Sequence, residues 1–522
     1  MQNQSKIMEF VHIERATTFF HNSFLQDYYF SSKFDKLRTY KPKIEEINKA
    51  IQEKQSFSQE QRRLLVSDLK RQYSEADISI DGRLLENIDS LLLENSFTIT
   101  TGQQIHIGLG PLYVLYKVFD AITIAKECKE RYPKNNFVPV FWMATEDHDL
   151  EEISEINLFG KKLKWKTNQI GAVGRMSPSG LGSLFENIEE SFNLSSDQQN
   201  FISRCKDIYT SSQNLSIAFR RLLHEYFGDT GIVILDADSK VLKDSFSKVL
   251  RDELNHKNVE SLEASTQAFE KTGYDRQLVI RECNLFDLSH GDRVKITTTI
   301  ENGTQEFVKN HALDLSPNAA LRPFYQEWIL PNLVYIGGAS ELKYWMQLKG
   351  IFDNYKMPMP LLHLRTSNIV VPLKQVKLIK SENLFQLFLS KESLAKKYSQ
   401  EISDLSSTID TKYAEIGEAL NSYKLLVESS FASFSLEGKV NKISPKLNEL
   451  RELTNGQLEM KIENQQELNK LLKIKDKYFN HDNIQERNEH VLAHIYLLKD
   501  TLGSISSHFG FKYSQKIGLL LT

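Results

Sequence analysis

The sequence predicts an α/β protein: a Rossmann-like parallel-sheet core with inserted connecting segments and a C-terminal antiparallel coiled-coil arm. Three observations predict it. Between residues 96 and 152 a β-rich run, a glycine turn, a helical spacing of apolar residues and a second apolar run succeed one another, the pattern of a βαβ unit. The order returns further on, where Leu333-Val334-Tyr335-Ile336 runs into Gly337-Gly338-Ala339-Ser340 and a helix from Glu341. From residue 381 to 477 the chain is charged, poor in glycine and spaced for helices.

Taken in order, residues 1–95 read as the helical N-terminal part of the core, with the polar stretch 53–81 as a surface hairpin. Residues 96–160 are the first Rossmann-like half. Phe97 and Ile99 mark its first strand, and residues 100–110 a polar, glycine-rich turn. Pro111 opens a helix with Leu112, Leu115, Val118, Phe119, Ile122 and Ala125 at helical spacing. The apolar run from Phe137 to Met143 ends abruptly at Glu146-Asp147-His148-Asp149. Residues 161–215 read as a connecting insertion, with Gly, Ser and Pro gathered in 171–182. Residues 216–260 form a βα unit whose strand Ile232-Val233-Ile234-Leu235 ends in Asp236-Ala237-Asp238; these aspartates read first as an N-cap and a solvated turn.

Residues 261–312 alternate at Gln277-Leu278-Val279-Ile280, Leu285-Phe286-Asp287-Leu288 and Val294-Lys295-Ile296. With turns at 289–292 and 301–303, they predict a small antiparallel β insertion. Residues 313–380 are the second Rossmann-like half, closing on the strand Leu361-Leu362-His363-Leu364-Arg365. Residues 381–477 form the arm, with Leu405, Ile409, Ile416, Leu420 and Tyr423 in its seam and a break at 435–445. Residues 478–522 return as a helical tail on the core.

A formal charge of −3 leaves no electrostatic footprint for nucleic acid. Cys128, Cys205 and Cys283 form no CxxC pair, which suits a reducing, cytoplasmic setting. No signal-peptide core and no run of transmembrane length stands in the sequence, so no membrane partner is expected.

Three polar clusters follow predicted strands and so fall on the sheet edge where ligands bind. The first is Thr101-Gly102-Gln103-Gln104 with Pro111, Tyr113 and Lys117. A helix start after a glycine turn offers backbone N–H groups to an anion, and two amides and a lysine add to it. It is neither a Walker loop nor GxGxxG. His106-Ile107-Gly108 matches three letters of the HIGH motif of class I synthetases, but no KMSKS-like partner follows and the match is set aside as chance.

The second cluster is Glu146-Asp147-His148-Asp149, where three readings stand. It binds Mg²⁺ through oxygens, it orients or deprotonates an amine, or it is a helix start capped by Thr145 with acids in the first turn. A zinc site lacks a second His or Cys at the usual spacing, so no resident metal is assigned. The third joins Arg322 and Gln326 to Gly337, Gly338, Glu341 and Tyr344. There an arginine clamps a carboxylate or phosphate, or is structural.

Together, TGQQ with GPLY-x3-K, PVFW-x3-EDHD-x2-E, SPN-x3-RP-x2-Q and GG-x2-E-x2-Y-W-x-Q-L resemble the cysteine ligase family of bacillithiol biosynthesis, the BshC family, nearly end to end. The resemblance implies a Rossmann-type core laid out like class I synthetase-like enzymes, and a homodimer through the coiled coil. It implies the joining of cysteine to the amino group of glucosaminyl malate. Such an amide does not form unaided in water, so an activated cysteine is expected, with ATP, and Mg²⁺ alongside it, as the suspected cofactor. In that reading Glu146, Asp147, His148 and Asp149 orient the amine and take its proton. The TGQQ loop and Lys117 hold one anionic group, and Arg322 with the Gly337-Gly338 helix start holds another. The run between the glutamines and Gly110 departs from the family's usual pattern, so His106 is not carried over. A nucleotidyl- or sugar-transferring enzyme on the same fold, or a non-catalytic metabolite- or partner-binding protein, stays open.

Overall fold

The computed structural model describes residues 9–15, 22–297, 304–372, 381–431, 433–463, 466–478, 484–499, 506–513 and 515–521. Five strands form the core sheet: β1 (Ser96–Gln103), β2 (Asn136–Met143), β3 (Val233–Asp236), β4 (Asn332–Gly337) and β5 (Leu361–Leu364). Their order is β5-β4-β1-β2-β3, and every neighbouring pair is parallel. Elements cover both faces of the sheet, so β2 to β5 are mostly apolar, while the buried threonines of β1 are satisfied by hydrogen bonds to β4. Helix α1 (Leu112–Arg131) carries the chain from β1 back to β2, burying Leu115, Val118, Phe119 and Ile122. Each such side chain contributes roughly 1.5–3 kcal/mol relative to exposure. Lys129 and Arg131 occupy the last turn, where a positive charge opposes the helix dipole.

From β1 the chain winds outward through β2 to β3, then crosses back to β4 and β5. The direction reverses between β1 and β4, and ligand crevices open outside the carboxyl ends of strands at such a point. Thr101 pins the two strands together just below that opening, its hydroxyl donating to the Ile336 carbonyl at 3.0 Å. Helices α2 (Arg322–Ile329) and α3 (Ala339–Gln347) flank β4 on its two ends in sequence.

Several elements differ from the sequence expectation. Residues 59–75 are a helix packed on the core rather than part of a surface hairpin: one face buries Leu65, Val66, Leu69 and Tyr73 together with Arg62, Asp68 and Gln72. Arg62, fully buried, donates to the carbonyls of Leu91 and Ser96 at 3.0 and 2.9 Å. The two ends of the described chain are strands, not helices. Glu9–Glu14 pairs antiparallel with Lys516–Leu521, which pairs parallel with Ser367–Val371. Those partners lie hundreds of residues apart, so no local pattern announces them.

In the β insertion, residues 277–280 are not a strand. The small sheet comprises Val294–Lys295, Leu285–Asp287 and Leu315–Pro317, and Thr304–His311 is a helix. The turn expected at 301–303 lies outside the described residues. In the arm, Lys391–Ser430 and Glu437–Glu463 run antiparallel, as the Asp410–Arg451 ion pair and the Tyr413–Asn448 hydrogen bond require. The break falls between them, earlier than expected, and Pro445 lies inside the second helix. Seam residues Ile416 and Tyr423 remain 50% and 60% exposed, so pairing within the chain does not cover them.

Candidate functional site

Beyond the carboxyl ends of β1 and β4 the crevice divides into two adjoining chambers of about 430 and 520 Å³. Gln103, Glu152 and Glu341 border both and form the partition between them. Lys117 holds that partition from beneath. Its ammonium donates to the Gly102 carbonyl at 2.8 Å, to Gln103 Oε1 at 2.9 Å and to Glu341 Oε1 at 2.7 Å. Three donors meet their acceptors, and burial holds the ammonium below the usual lysine range. Tyr335 adds a hydrogen bond to Glu341 Oε2 at 3.0 Å. Gly337 makes the arrangement possible, because a Cβ there would lie 2.7 Å from that same oxygen. Lys117 is therefore a fixed strut, not the free anion-binding cation expected from its spacing.

The loop from β1 to α1 also behaves differently from its letters. Gly108 and Gly110 have φ of 62° and 64°, and a Cβ on Gly110 would fall 2.3 Å from His106 Cβ. The donors expected to face an anion are consumed internally. Gly108 N–H donates to Tyr209 Oη at 3.1 Å, and Leu112 N–H to the Glu489 carbonyl at 3.1 Å. That carbonyl belongs to a C-terminal segment laid over the loop. Val491 N–H donates to Gly110 O at 3.1 Å, His490 N–H to Asn157 O at 3.0 Å, and the His490 ring lies 3.0 Å from Ile107 O. Burial lowers the His490 pKa to about 4, so the imidazole is neutral. The segment brings Arg487 and Asn488 to the first chamber beside Pro111, Tyr113 and His106. Among the described residues Arg487 has no ion pair, whereas Arg365, on the same wall, is engaged by Glu486 at 2.6 Å. Gly338 and Ser340, at the start of α3, supply the opposite side.

In the second chamber the acidic tetrad does not act as one cluster. Glu146 borders the chamber but is mostly buried, with Lys243 approaching it at 2.6 Å, while Lys243 and Arg175 both pair with Asp238. Burial nevertheless raises the Glu146 carboxyl, to about 7. Asp147 faces the chamber. It accepts from Gln104 Nε2 at 2.5 Å and from Arg293 Nη1 at 3.0 Å. His148 is about half exposed, its Nδ1 3.2 Å from both Asp147 Oδ1 and Arg293 Nη1. Asp149 caps the helix Leu150–Ser154 by accepting from Glu152 N–H at 3.0 Å. The helix-start reading thus holds for Asp149, with the cap one turn later than Thr145, which instead donates to Asp236 at 2.5 Å. Asp236 and Asp238 are correspondingly a buried polar hub, not a solvated turn.

Arg322 faces the second chamber with neutral partners only: Gln326 Oε1 and Tyr344 Oη, each at 3.3 Å, and the faces of Trp142 and Tyr335. Among the described residues it has no carboxylate partner, so its charge is available. Gln326 is fully buried behind it and reaches neither chamber. Thr101 and Gly337 are likewise structural, while Gln103, Gln104, Asp147, Arg322, Glu341 and Tyr344 meet at one opening. Sequence reasoning missed Arg281 and Arg293, which the β insertion delivers to the second chamber. Arg293 is stacked 4.2 Å over Phe286 and donates to Pro317 O at 3.1 Å. Its place after the tight turn at 289–292 was the one signal available. Nothing local marks Arg487. Among the described residues no group of three or more His, Cys, Asp or Glu side chains is arranged to hold a metal ion.

Residues 8–366 match the family model of the N-terminal Rossmann-like domain of bacillithiol biosynthesis BshC. A Flavobacterium psychrophilum protein is 36% identical over 86% of this chain and 88% of its own length, and a Cytophaga hutchinsonii protein 32% over 88% of each. A Flavobacterium johnsoniae protein is 37% identical over 75% of this chain and 77% of its own. All three bear the name "Putative cysteine ligase BshC". With the Rossmann order of its sheet, its two-chambered crevice at the strand switch point and this match over most of its length, the chain belongs to the BshC family of bacillithiol biosynthesis.

Proposed function

We propose that this protein is an amide-forming cysteine ligase that adds cysteine to the amino group of glucosaminyl malate. The observation that carries the reading is the divided crevice: two chambers meet across a narrow polar partition, as joining two substrates requires. Arg322 and Arg281, neither engaged by a carboxylate among the described residues, suit the two carboxylates of the malate end in the second chamber. Asp147, oriented by Gln104 and Arg293, stands where the sugar amine would enter and takes its proton, with His148 passing that proton to solvent.

Cysteine reaches the partition from the first chamber in activated form. An acyl-adenylate or acyl-phosphate derived from ATP is the expected species. The start of α3 and Arg487 suit a phosphate or carboxylate there, through backbone N–H groups and a guanidinium with no ion pair among the described residues. The activating group supplies a leaving group for the cysteine carboxyl, while the chain's own part is to hold the anion, align the amine and exclude water. The exposed seam of the arm supports a homodimer through paired arms, and a reducing compartment, the cytoplasm, suits the three free cysteines. Among the described residues no helix is long and apolar enough to cross a membrane.

The test is purified protein with glucosaminyl malate, cysteine and ATP, followed by mass spectrometry for the amide. Formation of bacillithiol with stoichiometric ATP cleavage is expected. No product with ATP or with any other nucleoside triphosphate or acyl-phosphate donor would sink the reading. Turnover of a nucleotide sugar instead would move the protein to the transferase alternative.

A further inference from the structure

We propose that a third cavity, at the amino-terminal end of β4 and away from the catalytic crevice, is a second small-molecule site built for a flat, uncharged heteroaromatic ligand bearing hydrogen-bond acceptors. The cavity measures about 460 Å³, within the size of small-molecule pockets. Its apolar walls are Phe57, Trp328 and Tyr355, with Met357 beside them. Trp328 and Tyr355 stand at 87° with ring centroids 6.3 Å apart, the corner of a slot that accepts a ring face on one side and an edge on the other.

The floor is an ion pair, Lys54 to Glu327 at 3.1 Å, with side chains only 5% and 0% exposed. The two partners are unequally satisfied. Glu327 accepts from Asn332 at 2.7 Å and Gln326 at 3.1 Å besides Lys54. Lys54 has three donors and, among the described residues, one hydrogen bond. A buried donor left open is costly, so the floor asks for an acceptor. The acceptor is not an anion. Glu53 and Glu60 also line the cavity, so with Glu327 three carboxylates face Lys54 and Lys356. Apolar aromatic walls, an open donor at the base and a net acidic lining together select a neutral ring system with carbonyl or ring-nitrogen acceptors. The inference stands independently of the ligase reading, since no residue of the crevice takes part.

The experiment uses the full-length protein and caffeine, a neutral fused ring system with acceptors and no donors, titrated by calorimetry and saturation-transfer NMR. Saturable one-site binding with Kd of about 1 mM or tighter is expected for a ligand of this size. Leu64→Trp, which fills the cavity from a partly exposed wall, and the charge-neutral pair Lys54→Met with Glu327→Gln should each weaken it at least tenfold, with folding checked by thermal unfolding. Naphthalene-2-sulfonate, an anion of similar outline, should bind at least tenfold more weakly than caffeine. Absence of saturable binding, binding unchanged in every folded variant, or equal affinity for the sulfonate would each overturn the proposal.

Discussion

The two chambers of the crevice share a wall but are built by different means. Strand ends, α2 and the β insertion form the second chamber, all within the span matched by the Rossmann-like family model. The first chamber is incomplete without residues 487–490, which lie well beyond that span and arrive as a strap hydrogen-bonded to the glycine loop. They differ in free charge as well. The second offers Arg322 and Arg281 without carboxylate partners, whereas in the first Lys117, Lys162 and Arg365 are already paired and Arg487 alone is open among the described residues. A Rossmann core with its insertion can thus present a chamber lined by arginines without carboxylate partners among the described residues, but here it needs the C-terminal segment to make the chamber next door.

The sharpest way to break this contrast is Asp147→Asn, which removes the proposed proton acceptor of the second chamber while keeping its shape. Turnover should fall by about 10²–10⁴-fold with folding intact. Equal activity in this variant and in His148→Ala would show that the tetrad is structural. Next in size is a pH effect on stability from Glu146. Its carboxyl is raised in the fold to about 7 from an ordinary value of 4.5, so the folded state binds more protons between those limits, and stability declines as pH rises through them. Glu146→Gln should abolish that decline, gaining up to about 3 kcal/mol over the parent from pH 4.5 to 7 in urea titrations. A parallel pH profile in the two proteins would refute the buried-acid assignment.

Arg322→Lys should lower kcat/KM about 10–150-fold, chiefly through KM for the malate substrate, as a charge-assisted bidentate contact is lost. Arg487→Ala should raise the KM of the other substrate or of the nucleotide, about tenfold, and leave the malate KM alone. If both arginine variants shifted the same KM, the two chambers would be one site. The smallest effect is expected from Asp149→Ala, about 1 kcal/mol of stability from the lost helix cap with turnover retained.

Much of the framework is legible in the residues themselves. The 3.6-residue spacing from Leu112 to Ala125, the β-prone Phe97–Thr101 stretch of β1 and the apolar run of β2 predict the βαβ unit, because the periodicity of burial is written locally. The placement of Gln103 and Asp147 at one opening follows from strand polarity alone, and the structure puts them there, with Arg322 joining from the start of α2. Polar composition misleads where side chains are buried by satisfying distant backbone: the helix at 59–75 is core because Arg62 and Gln72 find carbonyls on other elements.

The sequence by itself determined which edge of the sheet carries the chemistry and which residue types stand along it. Only the tertiary structure decided which of them are free to act. Lys117 and Arg322 are both cations set close to a strand end, yet one has its three donors consumed and the other meets only neutral groups. The availability of a charge depends on the partners that surround it, and those partners come from elements that are neighbours in space and strangers in sequence.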